Sequence, residues 1–299
     1  MDGQSTKENV PMRTVGIIGN PTKSGVSGAA TLVARWCDDR SLRLLSDEPV
    51  ADVMPDGVPS VPEEQLVEEA DILFAFGGDG TLLSAARRVA AAGRSTPIIG
   101  VNMGSLGFLT QIAEDEFPEI LDKLDPGDLP VSERMMLSVR VDGCDDRCLA
   151  LNDVVIAKGA ASRMLSFEAS VNGELVTRYA ADGLILATPT GSTAHSISAG
   201  GPVVAPNVEA VIATPICPHT LSMRPLVIPP SATIEVDMLS CDDRTIVTAD
   251  GFRVFGVTAG DRVIVERAEQ RARLVDVAER SYYEILRTKM RWAGGVRER

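Results

Sequence analysis

Asp71-Ile-Leu-Phe-Ala-Phe-Gly-Gly-Asp-Gly-Thr-Leu-Leu83 is the stretch of this chain on which the fold turns. Asp71 to Phe76 reads as a buried strand, Gly77 to Thr81 as a glycine turn holding one carboxylate, and the alanine-rich residues after Leu83 as a helix. A helix that opens directly after a strand leaves unpaired N–H groups and a partial positive charge, where phosphate is readily held. The three glycines let the backbone approach such a ligand closely. Asp79 is the odd member, because a carboxylate beside phosphates is repulsive unless it binds a metal or takes a proton from an attacking hydroxyl. A phosphoryl-transfer site is the first expectation. The plainer alternative is that Asp79 only caps the helix from Gly80.

Working outward, Thr14 to Gly19 reads as a first buried strand, and Ala29 to Cys37 has helical spacing with Leu32, Val33 and Trp36 on one side. Leu42 to Leu45 is a candidate second strand. Ser60 with Glu63 three residues on forms a capping-box pattern and predicts a short helix over Val61 to Ala70. Leu82, Leu83, Ala86, Val89 and Ala90 share one helical face, and Pro97 to Val101 reads as a strand. Strands alternating with helices imply a parallel sheet in an α/β domain, Rossmann-like in plan, with ligands at the C-terminal ends of the strands.

The texture changes near Pro126 to Pro130. From Met135 to Val277 short β-rich runs (Leu137 to Val141, Val154 to Ile156, Ile234 to Met238, Thr245 to Val247, Arg262 to Val265) are separated by turn residues, predicting an all-β domain. Ser281 to Trp292 returns to helical or irregular character. The expected division is a flexible start over 1–13, an α/β domain over 14–130, a β-rich domain over 131–277, and a last segment, 278–299, that packs back on the first domain.

Two tempting motifs fail. Gly19-Asn-Pro-Thr-Lys-Ser24 has the Lys-Ser of a P-loop but Thr22 where the preceding glycine belongs, and no strand is followed by Gly-x-Gly-x-x-Gly. With 299 residues and 44% hydrophobic content the chain can bury sizeable cores. No apolar run approaches a membrane span, and Met1 to Arg13 lacks the apolar core of a secretory signal, so a cytoplasmic location is expected. The five cysteines are scattered and the only histidines are His195 and His219, a set that suits thiols better than a zinc site. A net charge of −13 argues against sequence-independent nucleic-acid binding and leaves any anionic substrate to local donors. Only five of the 29 basic residues are lysine. That pattern suits a salt-rich cytoplasm, although a GC-rich genome favours arginine too.

A second constellation lies in the β-rich half. Asp182-Gly-Leu-Ile-Leu-Ala-Thr-Pro-Thr-Gly-Ser-Thr-Ala-His-Ser-Ile-Ser-Ala-Gly-Gly-Pro202 ends a strand at Ala187, then crowds hydroxyls into one loop and reopens on glycines. Such a segment can wrap a polar ligand with N–H and O–H donors, or it is a bland surface loop.

With these segments in order, the chain resembles the NAD kinases, which phosphorylate the adenosine-ribose 2′-hydroxyl of NAD to make NADP. The resemblance rests on Gly77 to Thr81, Gly100-Val-Asn-Met-Gly-Ser-Leu-Gly-Phe-Leu109, Leu151-Asn-Asp-Val-Val155, Asp182 to Pro202, Pro218-His-Thr-Leu-Ser-Met-Arg-Pro225 and Asp250-Gly251. It implies a phosphofructokinase-like first domain followed by a β-sandwich. It further implies Asp79 as acceptor of the hydroxyl proton, and Gly77, Gly78, Gly80 and Thr81 along the donor's phosphates. NAD would meet Asp79, Gly80, Asn152, Asp153, Arg163, Asp182, Thr193, Ala194, His195, Ser196 and Ser198. The donor is ATP or polyphosphate, the cofactor a divalent cation such as Mg²⁺ with no protein ligand assigned, and the assembly a homodimer or homotetramer without nucleic acid or membrane.

The chain departs from the family pattern at three positions. His195 stands where tyrosine is usual, making ring stacking pH-sensitive. Ala180 and Ser84 stand where many members carry a basic or larger polar residue, with Arg163 as the compensating cation. Two rivals follow from these features, a lipid kinase using the same glycine turn and an NAD-binding sensor without turnover.

Overall fold

The computed structural model describes residues 12–105, 107–159, 163–241, 245–277 and 280–292. The expected flexible start falls almost wholly outside these, and of the last segment residues 280–292 are described. Chain contacts divide the protein into two compact units, the first comprising residues 1–88, 96–132 and 273–299, the second 89–95 and 133–272.

The first unit alternates strands and helices as the periodicity predicts. Its elements are β1 (Thr14–Gly19), α1 (Val26–Asp38), β2 (Arg43–Asp47), β3 (Ser60–Val61), α2 (Glu63–Glu69), β4 (Ile72–Gly77), α3 (Asp79–Ala91), β5 (Ile98–Asn102), β6 (Ile112–Ala113) and α4 (Phe117–Lys123). The strands pair in the parallel order β3-β2-β1-β4-β5. β1, β4 and β5 are almost wholly buried because helices cover both faces of such a sheet. Trp36, Phe74, Phe76 and Phe117 interlock at the centre, ring centroids 5.5–6.2 Å apart.

One helix start differs from the expectation. Ser60 and Val61 are a short strand paired with Ser46 and Asp47, and α2 begins at Glu63 after Pro62, with no side-chain cap. A sheet edge recruited from fourteen residues away outcompetes the local Ser60–Glu63 box.

The second unit is a sandwich. Its strands are β7 (Val131–Val141), β8 (Cys148–Ala150), β9 (Asp153–Ala157), β10 (Leu165–Val171), β11 (Glu174–Ala181), β12 (Gly183–Ala187), β13 (Val211–Ile216), β14 (Leu226–Ile228), β15 (Ile234–Ser240), β16 (Ile246–Ala249), β17 (Phe252–Gly256) and β18 (Arg262–Val275). One antiparallel sheet runs β14-β13-β12-β9-β16-β17, and a second carries β11-β10-β15-β18, with β7 beside β18 and β8. Leu137, Ile156, Phe167, Leu184, Val236 and Val263 from both sheets close a single core. β18 is far longer than the Arg262 to Val265 run, and Ala268, Ala272 and Leu274 keep buried positions along it between charged residues. The hydroxyl-rich loop after β12 forms a 3-10 turn, Thr190–Thr193, and a one-turn helix, α5 (His195–Ser198).

The last helix, α6 (Tyr282–Met290), belongs to the first unit and opens on a true capping box, Ser281 with Glu284. Arg280 before it pairs with Glu116. No disulfide joins any of the five cysteines. Among the described residues no helix is long and apolar enough to cross a membrane.

Candidate functional site

In the first unit the strand order decides where a ligand can sit. The chain steps from β1 to β2 in one direction and later returns to place β4 on β1's other side, so β1 and β4 flank the switch point of the sheet. Asn20 N–H donates to the Phe76 carbonyl across this point, 2.9 Å. The strand ends open on a cavity of about 480 Å³, whose lining includes Gly19, Asn20, Asp47, Gly80, Thr81 and Arg88.

Gly77 and Gly78 turn β4 into α3 without a spacer. A Cβ on Gly77 would lie 2.2 Å from Thr81 Oγ1, so the helix can start this tightly only after glycine. Gly78 and Thr81 line the same cavity, so all four candidate donor-phosphate residues lie at or beside it, at the positive end of a thirteen-residue helix.

Asp79 is the first residue of α3, and its carboxylate does not act as a cap for that helix. Oδ1 accepts from Leu109 N–H (3.1 Å), Thr110 N–H (2.9 Å) and Thr110 Oγ1 (2.9 Å), while Oδ2, among the described residues, accepts from Phe108 N–H alone (2.8 Å). The expected alternative, a helix cap from Gly80, is thereby replaced by an anchor to the loop after β5. The loop is held in turn by Asn102, whose Nδ2 donates to Thr110 Oγ1 (2.8 Å) and to the Ser105 carbonyl (2.9 Å). Gly107 completes the fit, since a Cβ there would meet Asp79 Oδ1 at 1.9 Å. A carboxylate offers about four acceptor positions. Three donors therefore fill Oδ1, and Oδ2 keeps room for one more.

In the second unit Asn152 and Asp153 are fixed from below by Asp250, which sequence reasoning quoted in a motif but gave no role. Asp250 Oδ2 accepts from Leu151 N–H (3.0 Å), and Oδ1 from Asn152 N–H (2.7 Å) and Asp153 N–H (3.3 Å). Burial pushes the Asp250 carboxyl up from its ordinary range, and those three N–H groups oppose the shift. From the other side Thr188 Oγ1 donates to the Leu151 carbonyl (2.6 Å), and Thr188 N–H to the Asn152 carbonyl (2.8 Å). Gly191 approaches so closely that a Cβ would lie 2.0 Å from the Asn152 oxygen. The Leu151–Asp153 turn and the Thr188–Gly191 turn thus form one rigid block. On it, the Asn152 Oδ1 is buried and takes no hydrogen bond from the described residues.

The candidate loop residues divide by environment. Ser196 is buried and shares its hydroxyl with Thr214 Oγ1 (2.9 Å), while Thr193 and Ala194 are half-buried and Ser198 is exposed. The His195 ring stands out, 62% exposed, with Nδ1 3.3 Å from the buried Asp153 carboxylate. That hydrogen bond, with the Asp153 charge behind it, holds His195 protonation above the ordinary imidazole range, and partial burial acts against it. Asp182 pairs with Lys158 Nζ at 2.7 Å. Arg163 is exposed, away from any hydrogen bond given by the described residues. Among the described residues no three of His, Cys, Asp and Glu converge as a metal site. Mg²⁺ commonly keeps its waters and rides on substrate phosphates with few protein ligands, and the N–H-rich turn at Gly77 to Thr81 fits that mode.

Residues 15–128 match the ATP-NAD kinase N-terminal domain, and residues 151–277 match the ATP-NAD kinase C-terminal domain. The chain belongs to the NAD kinase family. The NAD kinase of Geobacter sulfurreducens is 43% identical over 286 residues, spanning 94% of this chain and 99% of that one. That of Desulforamulus reducens is 39% identical over 289 residues, spanning 95% and 100%. Among solved structures, an Archaeoglobus fulgidus NAD kinase in complex with ATP superposes with a TM-score of 0.74 at 27% identity, covering 93% of this chain and 98% of that one. Yeast NADH kinase complexed with NADH gives 0.83 at 24% identity, covering 97% and 89%, a likeness of fold.

Proposed function

We infer that this protein is an NAD kinase, a phosphotransferase that moves the terminal phosphoryl group of ATP or polyphosphate to the 2′-hydroxyl of the adenosine ribose of NAD. The observation that carries the reading is the carboxylate at the start of α3, beside the glycine turn, with one acceptor position open on Oδ2. A ribose hydroxyl is a poor nucleophile near neutral pH, so alignment and a nearby proton acceptor are what the chain must supply. In this reading Asp79 Oδ2 takes the hydroxyl proton, and Gly77, Gly78, Gly80 and Thr81 hold the donor phosphates. Asn152 and Asp153 hold the ribose of NAD, with Gly80, Asp182, Thr193, Ala194, His195, Ser196 and Ser198 as its further contacts. Arg163 contributes a cation at long range. A divalent cation, Mg²⁺ for preference, neutralises charge on the donor phosphates when bound. A cytoplasmic homodimer or homotetramer completes the reading, to be sized by light scattering.

The test is NADP formation from NAD by the purified protein with Mg²⁺ and either donor. Asp79→Asn is expected to lower turnover ~10²-fold or more while NAD affinity, measured separately, changes far less. Equal turnover by variant and parent removes Asp79 from the chemistry. Silence of the parent with NAD still bound favours the sensor.

A further inference from the structure

Asp47 ends β2, and nothing in the phosphoryl-transfer reading uses it. The residue is 2% exposed, yet its Oδ1 has no hydrogen-bond partner among the described residues. A buried carboxylate oxygen left unsatisfied is costly, and each such group calls for an explanation in strain, in a chemical role, or in a bound species that completes it. Burial pushes the carboxyl up to about 7, with Glu63 adding to the shift and the Arg88 charge and the N–H groups of Val50 and Asp47 opposing it. Arg88 is itself paired with Glu63. The cavity that Asp47 helps to line is the one at the switch point, shared with Gly78, Gly80 and Thr81.

Position adds an independent argument. In the sheet order β2-β1-β4, the end of β2 lies two strand spacings, about 10 Å, from the end of β4, where the phosphate-binding turn begins. A nucleoside triphosphate spans that gap from its terminal phosphate to its ribose. In doubly wound dinucleotide-binding sheets an acidic residue beyond the first βα turn accepts from a ribose hydroxyl, and the end of β2 is the comparable place here although the glycine fingerprint itself is absent. Pro21 and Pro49, from the loops after β1 and β2, give the same cavity an apolar wall for a nucleoside. Inorganic polyphosphate brings no ribose hydroxyl and would set further negative charge against Asp47.

We propose that Asp47 accepts a hydrogen bond from the ribose of the phosphoryl donor, so that this cavity selects a nucleoside triphosphate over inorganic polyphosphate. The proposal rests on the NAD kinase reading and deepens its donor site. It is tested with the full chain and the variants Asp47→Ala and Asp47→Asn, using ATP, 2′,3′-dideoxy-ATP and polyphosphate as donors. Binding of ATP and of inorganic tripolyphosphate is measured in parallel by calorimetry.

Asp47→Ala is expected to raise the KM and the Kd for ATP about tenfold or more, the effect of losing a hydrogen bond to a charged acceptor, while polyphosphate use holds or improves. The parent should lose a comparable factor on dideoxy-ATP, and Asp47→Ala should not. Thermal melts of both variants at pH 8 should match or exceed the parent, since a buried charge is removed. Equal losses with both donors, relieved by added Mg²⁺, would overturn the proposal in favour of cation holding. Unchanged ATP binding would overturn it outright. Should no donor yield NADP, the kinase reading fails, and the two binding curves still decide the role of Asp47.

Discussion

At the scale of single residues, the pair His195 and Asp153 shows what one departure from the family pattern does. A ring at the mouth of the loop rests on a carboxylate that is almost entirely buried, so its proton is shared with the interior. Because His195 protonates more readily in the folded chain than in the unfolded one, its contribution to stability is complete below the unfolded value. It is lost as pH rises through the raised folded value. With the ring this exposed, the amount is small. We expect His195→Phe to cost about 0.5–1 kcal/mol more near pH 5.5 than near pH 8.5, read from chemical denaturation at the two pH values. A difference of opposite sign would remove the His195–Asp153 contact as the source of the dependence. Little of this was legible in the sequence. His195 and Asp153 lie 42 residues apart, and only the antiparallel pairing of β9 with β12 brings their neighbourhoods together. Asp79 posed the same difficulty. Its place in the glycine turn was readable, but its donors arrive from residues 29 to 31 positions later.

At the scale of elements, what could be read depended on whether the determining contacts were local. α3 was legible because Leu82, Leu83, Ala86, Val89 and Ala90 fall on one face and are all buried. The start of α2 was not, since Ser60 has a sheet partner that no local pattern announces. The converse case is α6. The segment reads only as helical or irregular in the sequence, yet Ser281 and Glu284 form a full capping box, Ser281 N–H to Glu284 Oε2 at 2.7 Å and Glu284 N–H to Ser281 Oγ at 3.3 Å. Replacing Ser281 with alanine should cost roughly 1 kcal/mol, the usual worth of such a cap, and lower the melting temperature by ~2–4 °C. Donor and NAD KM values should not change. A shift in either would give the helix a role at the site beyond burying Ile285 and Leu286. Asp47 belongs to this scale as well, because its importance comes from the strand order and is invisible in its own neighbourhood.

At the scale of the whole molecule, two separate cores and a surplus of thirteen negative charges set the response to solution conditions. Self-repulsion of that size is relieved by screening. Raising the salt from ~0.05 M to ~1 M KCl should therefore raise the melting temperature by several degrees, and a flat or falling curve would show that the ion pairs outweigh the repulsion. The two-part architecture was readable from the change of texture near Pro126. The sandwich pairing was less so, because a strand such as β18 hides its buried positions among arginines and glutamates. One consequence reaches beyond any single position. The loop after β5 gives Asp79 its orientation without touching a substrate in any role assigned to it, and Asn102 holds that loop. If the Asp79 carboxylate has the proposed role, selection that acts on it must also act on Asn102, Gly107 and Thr110. The genetic footprint of the proposed site is accordingly wider than its chemistry, and drift in that loop is drift in the orientation of Asp79.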